Sequence, residues 1–396
     1  MVQRRFWIQR VQAGLSEKSV LWLSGVRRVG KTMLCQSIGD TEYFDCELPS
    51  TRRMIEGDLE SFLGDLRGRT IVLDEIHRLG NPSEILKIAA DHYRDLKVVA
   101  TGSSTLGAST KFRDTLAGRK YELWLTPMMS QDLTDFESRD LKHRFLRGGL
   151  PPFFLAAKYP SRDFQEWMDA YWAKDIQELF RVERRHSFLK FAELLISQSG
   201  GIFEANRFAR PCEVSRTTIA NYLGVLEATF LVHVVRPFSS HRPTEIVSAP
   251  KVYAFDTGFL CHYRGWETLR SDDLGTLWEH YVMNEVIAQT QSRHIFYWRD
   301  KRGHEVDFVL VDRKNEPIAI ECKWSSSEFD PTNIKAFRRR YAAGANFLVA
   351  SDVRRPVVRA FDDVRVRFVS LEELIRAITS SAQSEKFFIQ PKSRSS

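Results

Sequence analysis

Between residues 20 and 127 the chain alternates short, continuous apolar runs with stretches of helical period. The runs are VLWLSG, TIVLDE and KVVATGS, and between the last two SEILKIAADHYRDL sets Ile85, Ile88, Ala89 and Tyr93 at helical spacing. Continuous apolar strands separated by helices predict a parallel sheet covered on both faces. From 143 to 235 the pattern turns helical. RGGLPPFF forces a turn, and the amphipathic stretches FQEWMDAYWAKDIQELF and FLKFAELLISQSG follow. In CEVSRTTIANYLGVLEATFLVHVVRPF, Ser215 is placed to cap a helix starting at Arg216, and FLVHVV reads as a strand, an order that fits a winged helix-turn-helix. From 250 to 370 the pattern is mixed again. The helical stretch LGTLWEHYVMNEVIAQ leads to strands HIFYW, EVDFVLV and PIAIECKW, with DRKNEP as a hairpin turn, and then to ANFLVAS and VRFVS. The prediction is an α/β chain in three domains, 1–140, 141–250 and 251–378. A tail, 379–396, lacks periodicity, is rich in Ser and Lys/Arg, and is expected to be disordered.

Composition changes this picture little. Among 396 residues, 43% hydrophobic and 12% aromatic side chains supply ample core material and exclude global disorder. Lys and Arg exceed Asp and Glu by 58 to 51, a surplus that permits a nucleic-acid partner without demanding one. No apolar run of 18 residues exists and the basic N-terminus has no apolar core segment, so no membrane span or secretory signal is expected. Five scattered cysteines without a CxxC pair fit free thiols in a reducing cytoplasm. The histidines show no HxH or HExxH spacing, which excludes a zinc hydrolase site.

Residues 25–32, Gly25, Val26, Arg27, Arg28, Val29, Gly30, Lys31 and Thr32, satisfy G-x-x-x-x-G-K-[ST] between a strand and a helix. The glycines let successive backbone N–H groups curl around phosphate oxygens. Lys31 reaches the β and γ phosphates, and Thr32 offers its hydroxyl to Mg²⁺. TIVLDEIH delivers Asp74 and Glu75 to the carboxyl end of a strand, where α/β sheets bind ligands. An isolated acidic pair there would be an ordinary cap. Beside this loop, Asp74 suits Mg²⁺ and Glu75 suits orientation of an attacking water. KVVATGSS offers Thr101, Ser103 and Ser104 as sensors of the γ-phosphate or holders of water, with an ordinary Ser/Thr turn as the alternative. In LAGRKYELWLTPM, Arg119 is a candidate charge donor in cis or from a neighbouring subunit, against the common fate of a solvated Arg.

GVRRVGKT, VLDEIH, ATGSS and LAGRKYELWLTPMM together resemble the prokaryotic AAA-type P-loop ATPases that carry a C-terminal domain of unknown function with a restriction-nuclease-like end. RGGLPPFF, SRTTIANYLGVLEATFLV and KVYAFDTGFL extend the likeness from about residue 5 to 375. The resemblance implies ATP binding and hydrolysis, and ATP rather than GTP as the nucleotide.

In EVDFVLVDRKNEPIAIECKW, strand alternation puts Glu321 and Lys323 on one face, and an antiparallel turn places Asp307 nearly opposite them. Glu279, on the preceding helix, is a fourth acidic candidate. The set resembles the PD-(D/E)XK nuclease pattern. Carried over, Asp307 and Glu321 are metal ligands, Lys323 stabilises charge and Glu279 is an accessory ligand of a second Mg²⁺ site. A Glu–Lys pair on a solvated strand face is the plainer alternative.

Arg216, Thr217, Thr218 and Asn221 open the candidate recognition helix, and Arg207, Arg210 and Arg242 are candidate phosphate contacts. One cation on that helix is sparse for DNA, so packing against the nucleotide domain is the competing role. The leading reading is a cytoplasmic Mg²⁺-dependent ATPase driving a winged-helix and nuclease-like module that binds or cleaves nucleic acid. The alternative is a nucleotide-gated regulator that binds DNA or a protein partner and has an inert nuclease-like domain. Arg119 acting in trans would require a homo-oligomer.

Overall fold

The computed structural model describes residues 2–102, 115–180, 182, 184–239 and 249–380. The expectations placed on Ser103, Ser104, Arg242 and the tail beyond Ser380 lie outside the described residues. The chain forms two compact units, one of residues 1–192 and 212–231, the other of 193–211 and 232–396. The segment read as a middle domain is therefore shared between them.

In the first unit, β1 (Val20–Ser24), β2 (Thr41–Asp45), β3 (Thr70–Asp74), β4 (Lys97–Thr101) and β5 (Lys120–Trp124) form a sheet in the order β2-β3-β4-β1-β5, every neighbouring pair parallel. The apolar runs read from the sequence are the three interior strands, β1, β3 and β4. β2 and β5 sit at the edges, where TEYFD and KYELW are half exposed and carry charges, so they lack the continuous apolar signal. Leu23 pairs with Thr101 and Leu73 with Ala100, so the carboxyl ends of the interior strands finish level along one edge. The helix Pro82–His92 buries Ile85, Leu86 and Ala89 in a core with Trp22, Leu73 and Val98. A fully buried Ile, Leu or Val side chain contributes about 1.5–3 kcal/mol. Further along lie the helices Leu141–Arg147, Pro151–Phe154 and Ser161–Tyr171, then a π-helical turn, Trp172–Ile176, running into Gln177–Phe180. The helix Arg216–Ala228 also belongs to this unit, and Ser215 caps it by accepting from the Thr218 N–H at 3.1 Å.

The second unit holds a mixed eight-stranded sheet. Its strands are β6 (Val232–Pro237), β7 (Lys251–Ala254), β8 (Phe296–Arg299), β9 (Glu305–Val311), β10 (Pro317–Lys323), β11 (Asn346–Ala350), β12 (Val357–Phe361) and β13 (Val364–Val369), in the order β12-β13-β11-β10-β9-β8-β6-β7. The β9–β10 hairpin forms as expected. Asp312 Oδ1 accepts from the Lys314 and Glu316 N–H groups, and Asn315 takes the left-handed conformation at φ 64°. The strand expected to complete a winged helix is β6. It pairs with β7 and also, in parallel, with β8, so it is part of this large sheet and not a free-standing wing. The helix Ser271–Thr290 shows no single apolar stripe because it is buried on nearly every side, its polar Asp273, His280, Asn284 and Glu285 included. Trp278 Nε1 ties it to the Val349 carbonyl at 3.1 Å. All five cysteines are free and buried. No helix among the described residues is long and apolar enough to cross a membrane.

Candidate functional site

The loop between β1 and the helix Lys31–Gln36 opens on a cavity of about 690 Å³ at the carboxyl edge of the first sheet. Gly25 has φ 150°, and a Cβ there would stand 2.6 Å from the Leu125 carbonyl oxygen, so only glycine fits. Gly30, at φ 102°, precedes the helix. Lys31 is buried and donates from Nζ to the Gly25 carbonyl at 2.9 Å, which holds its ammonium inside the loop. From behind, Arg4 donates to the Val29 carbonyl at 2.9 Å while its guanidinium grips the buried Asp132 carboxylate at 2.8 and 2.7 Å. That pair is fully desolvated and well bonded, which makes it a brace for the loop.

Asp74 ends β3, buried, and accepts from three hydroxyls: Thr32 Oγ1 at 2.8 Å and Tyr43 at 2.5 Å on Oδ2, and Thr101 on Oδ1. Burial first, and then the hydrogen bond to Asp74, hold the Tyr43 phenol far above its usual range, so it stays a donor. Thr32 and Asp74 present adjacent hydroxyl and carboxylate oxygens, hard donors that suit a divalent cation shared with phosphates. Thr101 is fully buried and also accepts from the Glu75 N–H at 3.0 Å. The structure therefore brings Thr101 to Asp74 and Glu75 and not to the cavity wall.

Glu75 lines the cavity in the left-handed conformation, φ 53°, an uncommon geometry for a non-glycine residue that recurs at functional sites. His77 Nδ1 lies 3.1 Å from Glu75 Oε2, close enough to pair but off the line of a well-formed hydrogen bond. Burial pushes the Glu75 carboxyl up, but His77, Lys31 and Arg27 outweigh it and hold the group below the usual carboxylate range. Arg27, Arg28, Arg78 and Lys174 add cationic groups to the wall. Val2, Met33, Phe136, Pro151 and Leu155 add apolar side chains to the lining. Val2, Met33 and Leu155 are among the large apolar side chains left exposed.

Arg119 stands elsewhere. Its Nε donates to Asp91 at 2.8 Å, and it does not line this cavity. Sequence reasoning missed Tyr43, Arg4, Trp167 and Asp175. Trp167 Nε1 donates to the Arg27 carbonyl at 3.0 Å, and Asp175 Oδ2 lies 3.6 Å from Arg27 Nη1. The signal for Asp175 was present: an acid on the helical face otherwise formed by Phe164, Trp167, Met168, Tyr171, Trp172 and Ile176.

The second set of carboxylates lies in the other unit. The β9–β10 register puts Phe308 opposite Ile320, and hence Asp307 opposite Glu321, as the alternation predicted. Glu279, Asp307, Glu321 and Lys323 lie near enough to act on one another's charge. Among the described residues no group of three or more His, Cys, Asp or Glu is spaced to hold an ion. The reason is local. Asp307 Oδ2 accepts from the Cys322 N–H at 2.8 Å, and Glu279 Oε1 accepts from Tyr253 at 2.5 Å. Lys251, buried on β7, bonds to Glu305 with Glu279 Oε1 3.8 Å away, while Lys323 lies 3.6 Å from Glu321. Two ammonium groups thus stand among the acids. Burial first, and then Asp307, push Glu279 up to about 7 and Glu321 well above the carboxylate range. Lys251 was also missed, although a lysine inside the apolar run KVYAF signals a buried ion pair.

Residues 17–134 match the AAA domain family, 138–270 a domain of unknown function (DUF8612) and 274–366 another domain of unknown function (DUF4143). Uncharacterized proteins of Mycobacterium tuberculosis and Mycobacterium bovis are each 26% identical over 83% of this chain and 75% of their own length. Among solved structures, the Walker-type ATPase of Pyrococcus abyssi aligns with 67% of this chain and 96% of its own at 14% identity and a TM-score of 0.44. The Bacillus subtilis DNA clamp loader delta protein covers 70% of this chain and 98% of its own at 13% identity and a TM-score of 0.25. By the family matches, residues 17–134 are a P-loop domain of the AAA type and residues 274–366 a DUF4143 domain.

Proposed function

We propose that the chain is a Mg²⁺-dependent ATPase whose nucleotide state controls the helical and C-terminal regions. One observation carries the reading: Gly25, Arg27, Arg28, Gly30, Lys31, Thr32 and Glu75 line one cation-rich cavity, and the buried Asp74 carboxylate bonds to Thr32 in its wall. In this reading backbone amides of the loop and Lys31 hold the β and γ phosphates, and Arg27 and Arg28 add charge. Thr32 and Asp74 hold the Mg²⁺, which neutralises developing charge on the phosphates when bound. Tyr43 and Thr101 aim Asp74. Glu75, kept ionised, orients the attacking water. The apolar wall formed by Val2, Phe136, Pro151 and Leu155 suits the flat face of a nucleobase. Arg119 acts, if it acts on phosphate, on the cavity of a second copy of the chain.

The C-terminal unit serves in this account as a binding module, with Lys251 and Lys323 set among its acidic residues. Exposed Arg216, Thr217 and Asn221 at the capped start of Arg216–Ala228 favour nucleic acid as one partner of the chain. The test is ATP turnover by the wild type, Lys31→Ala and Glu75→Gln. Turnover is expected in the wild type and in neither variant, with ATP binding retained in Glu75→Gln. Hydrolysis surviving both changes would remove the assignment.

A further inference from the structure

Arg27 is held at two points by a single helical segment. Trp167 Nε1 takes its backbone carbonyl at 3.0 Å, and two turns later Asp175 faces its guanidinium at 3.6 Å. The two contacts differ in quality. The first is a formed hydrogen bond. In the second, Asp175 Oδ2 is buried and has no hydrogen-bond partner, and the Asp175 side chain is only 9% exposed. A buried carboxylate with an orphan oxygen is costly and is expected to have a reason. This one lines the phosphate cavity among Arg27, Lys31, Glu75 and His77. It also sits on the π-helical turn Trp172–Ile176, and such turns are rare and recur at functional sites.

A carboxylate at this place competes with a triphosphate for the same cation. Its contact with Arg27 is long and therefore weak. A phosphate oxygen accepts the guanidinium fork with better geometry and more charge. We propose that Asp175 is a displaceable counter-ion of the P-loop: it holds Arg27 in the empty site and surrenders it to the phosphates of a bound nucleotide. This rests on the reading of the cavity as a nucleotide site. Its consequence is a route out of that site. Once Arg27 leaves, the buried Asp175 loses its nearest cation, so the π-helical turn is favoured to rearrange, and the helix Ser161–Tyr171 senses occupancy through a residue that need not touch the ligand.

The experiment is calorimetric titration with MgATP of the full chain as wild type, Asp175→Asn, Asp175→Ser, Arg27→Ala and the double variant Arg27→Ala/Asp175→Asn, each checked for a cooperative melt. Removing the competing charge is expected to tighten binding about tenfold in Asp175→Asn, as for one partly buried ion pair lost from the free state only. Asp175→Ser is expected to move the same way. Arg27→Ala weakens binding, and in its background Asp175→Asn changes affinity by less than about twofold, because the competition has lost its object. Damage to a merely structural residue would weaken binding, so the direction of the change separates the two roles. If the wild type binds MgATP and both Asp175 variants bind equally or more weakly, the counter-ion role is overturned while the nucleotide site stands. If the wild type gives no binding, both fall.

Discussion

The phosphate cavity and the C-terminal acidic cluster are both built from buried charge at strand ends, yet they are opposites in how that charge is spent. Around the cavity, Lys31, Arg27, Arg28, Arg78 and Lys174 converge on an open space of about 690 Å³. Among the described residues Lys31 donates there to the Gly25 and Val26 carbonyls of its own loop. In the cluster, Lys251 bonds to Glu305, Tyr253 to Glu279 and the Cys322 N–H to Asp307, while Glu321 has Lys323 at 3.6 Å and keeps one buried oxygen, Oε1, without a hydrogen-bond partner among the described residues. The first arrangement leaves charge for a ligand of opposite sign. The second has consumed most of it internally. A motif of the right residues is therefore not yet a site; what matters is how much counter-charge has been supplied from within, and the cavity, with Glu47, Glu75 and Asp175 against six Lys and Arg, keeps a positive surplus.

The sharpest way to break this comparison is to remove one lysine from each region and measure turnover. Lys31→Ala is expected to lower the ATPase rate by about two to three orders of magnitude or more, since its charge stabilises the transferring phosphoryl group, whereas Lys323→Ala leaves the rate unchanged. Equal losses would end the distinction. Thermal unfolding inverts the order. Lys251→Met strands Glu305 and Glu279 among buried groups and is expected to cost about 3–5 kcal/mol. Lys31→Met changes stability by less than about 1 kcal/mol, because it relieves repulsion among cations. A smaller kinetic effect is expected at Tyr43. Tyr43→Phe deletes one of three hydroxyls on Asp74 and should reduce turnover about tenfold while the fold remains intact by circular dichroism.

The smallest effect concerns pH. His280 is buried, with Nδ1 2.8 Å from the Thr276 carbonyl and Nε2 2.6 Å from Ser199 Oγ, whose oxygen in turn accepts from the Ala254 N–H. Burial lowers it to about 4, so the folded state holds it neutral. Between that value and the unfolded value of 6.5 the unfolded chain binds the extra proton. Its contribution to stability is thus complete above pH 6.5 and is lost as pH falls toward 4. His280→Asn should flatten that part of the pH–stability curve of the C-terminal unit, and an unchanged slope would contradict the neutral assignment.

These contrasts also explain what could be read before the structure. The interior strands VLWLS, TIVLD and KVVAT were legible because a parallel strand covered on both faces is apolar throughout. TEYFD and KYELW were not, because edge strands mix exposed and covered positions. The Gly25–Thr32 loop and the Asp74–Glu75 pair were legible because their chemistry is local to short segments. The facing of Asp307 and Glu321 followed from strand period and a turn. What escaped were partners brought in by tertiary packing. Tyr43 reaches Asp74 from a neighbouring strand, Asp175 reaches Arg27 from a helix some 150 residues later in the chain, and Lys251 reaches the acids from the sheet edge. No spacing rule within 305–323 could announce a cation from β7.

The most direct test of the central claim is calorimetric titration of the folded chain with MgATP, in the wild type and in Lys31→Ala. The account predicts heat of binding at one site per chain in the wild type and its loss in the variant. No heat from a correctly folded wild type, or undiminished binding without Lys31, would contradict it.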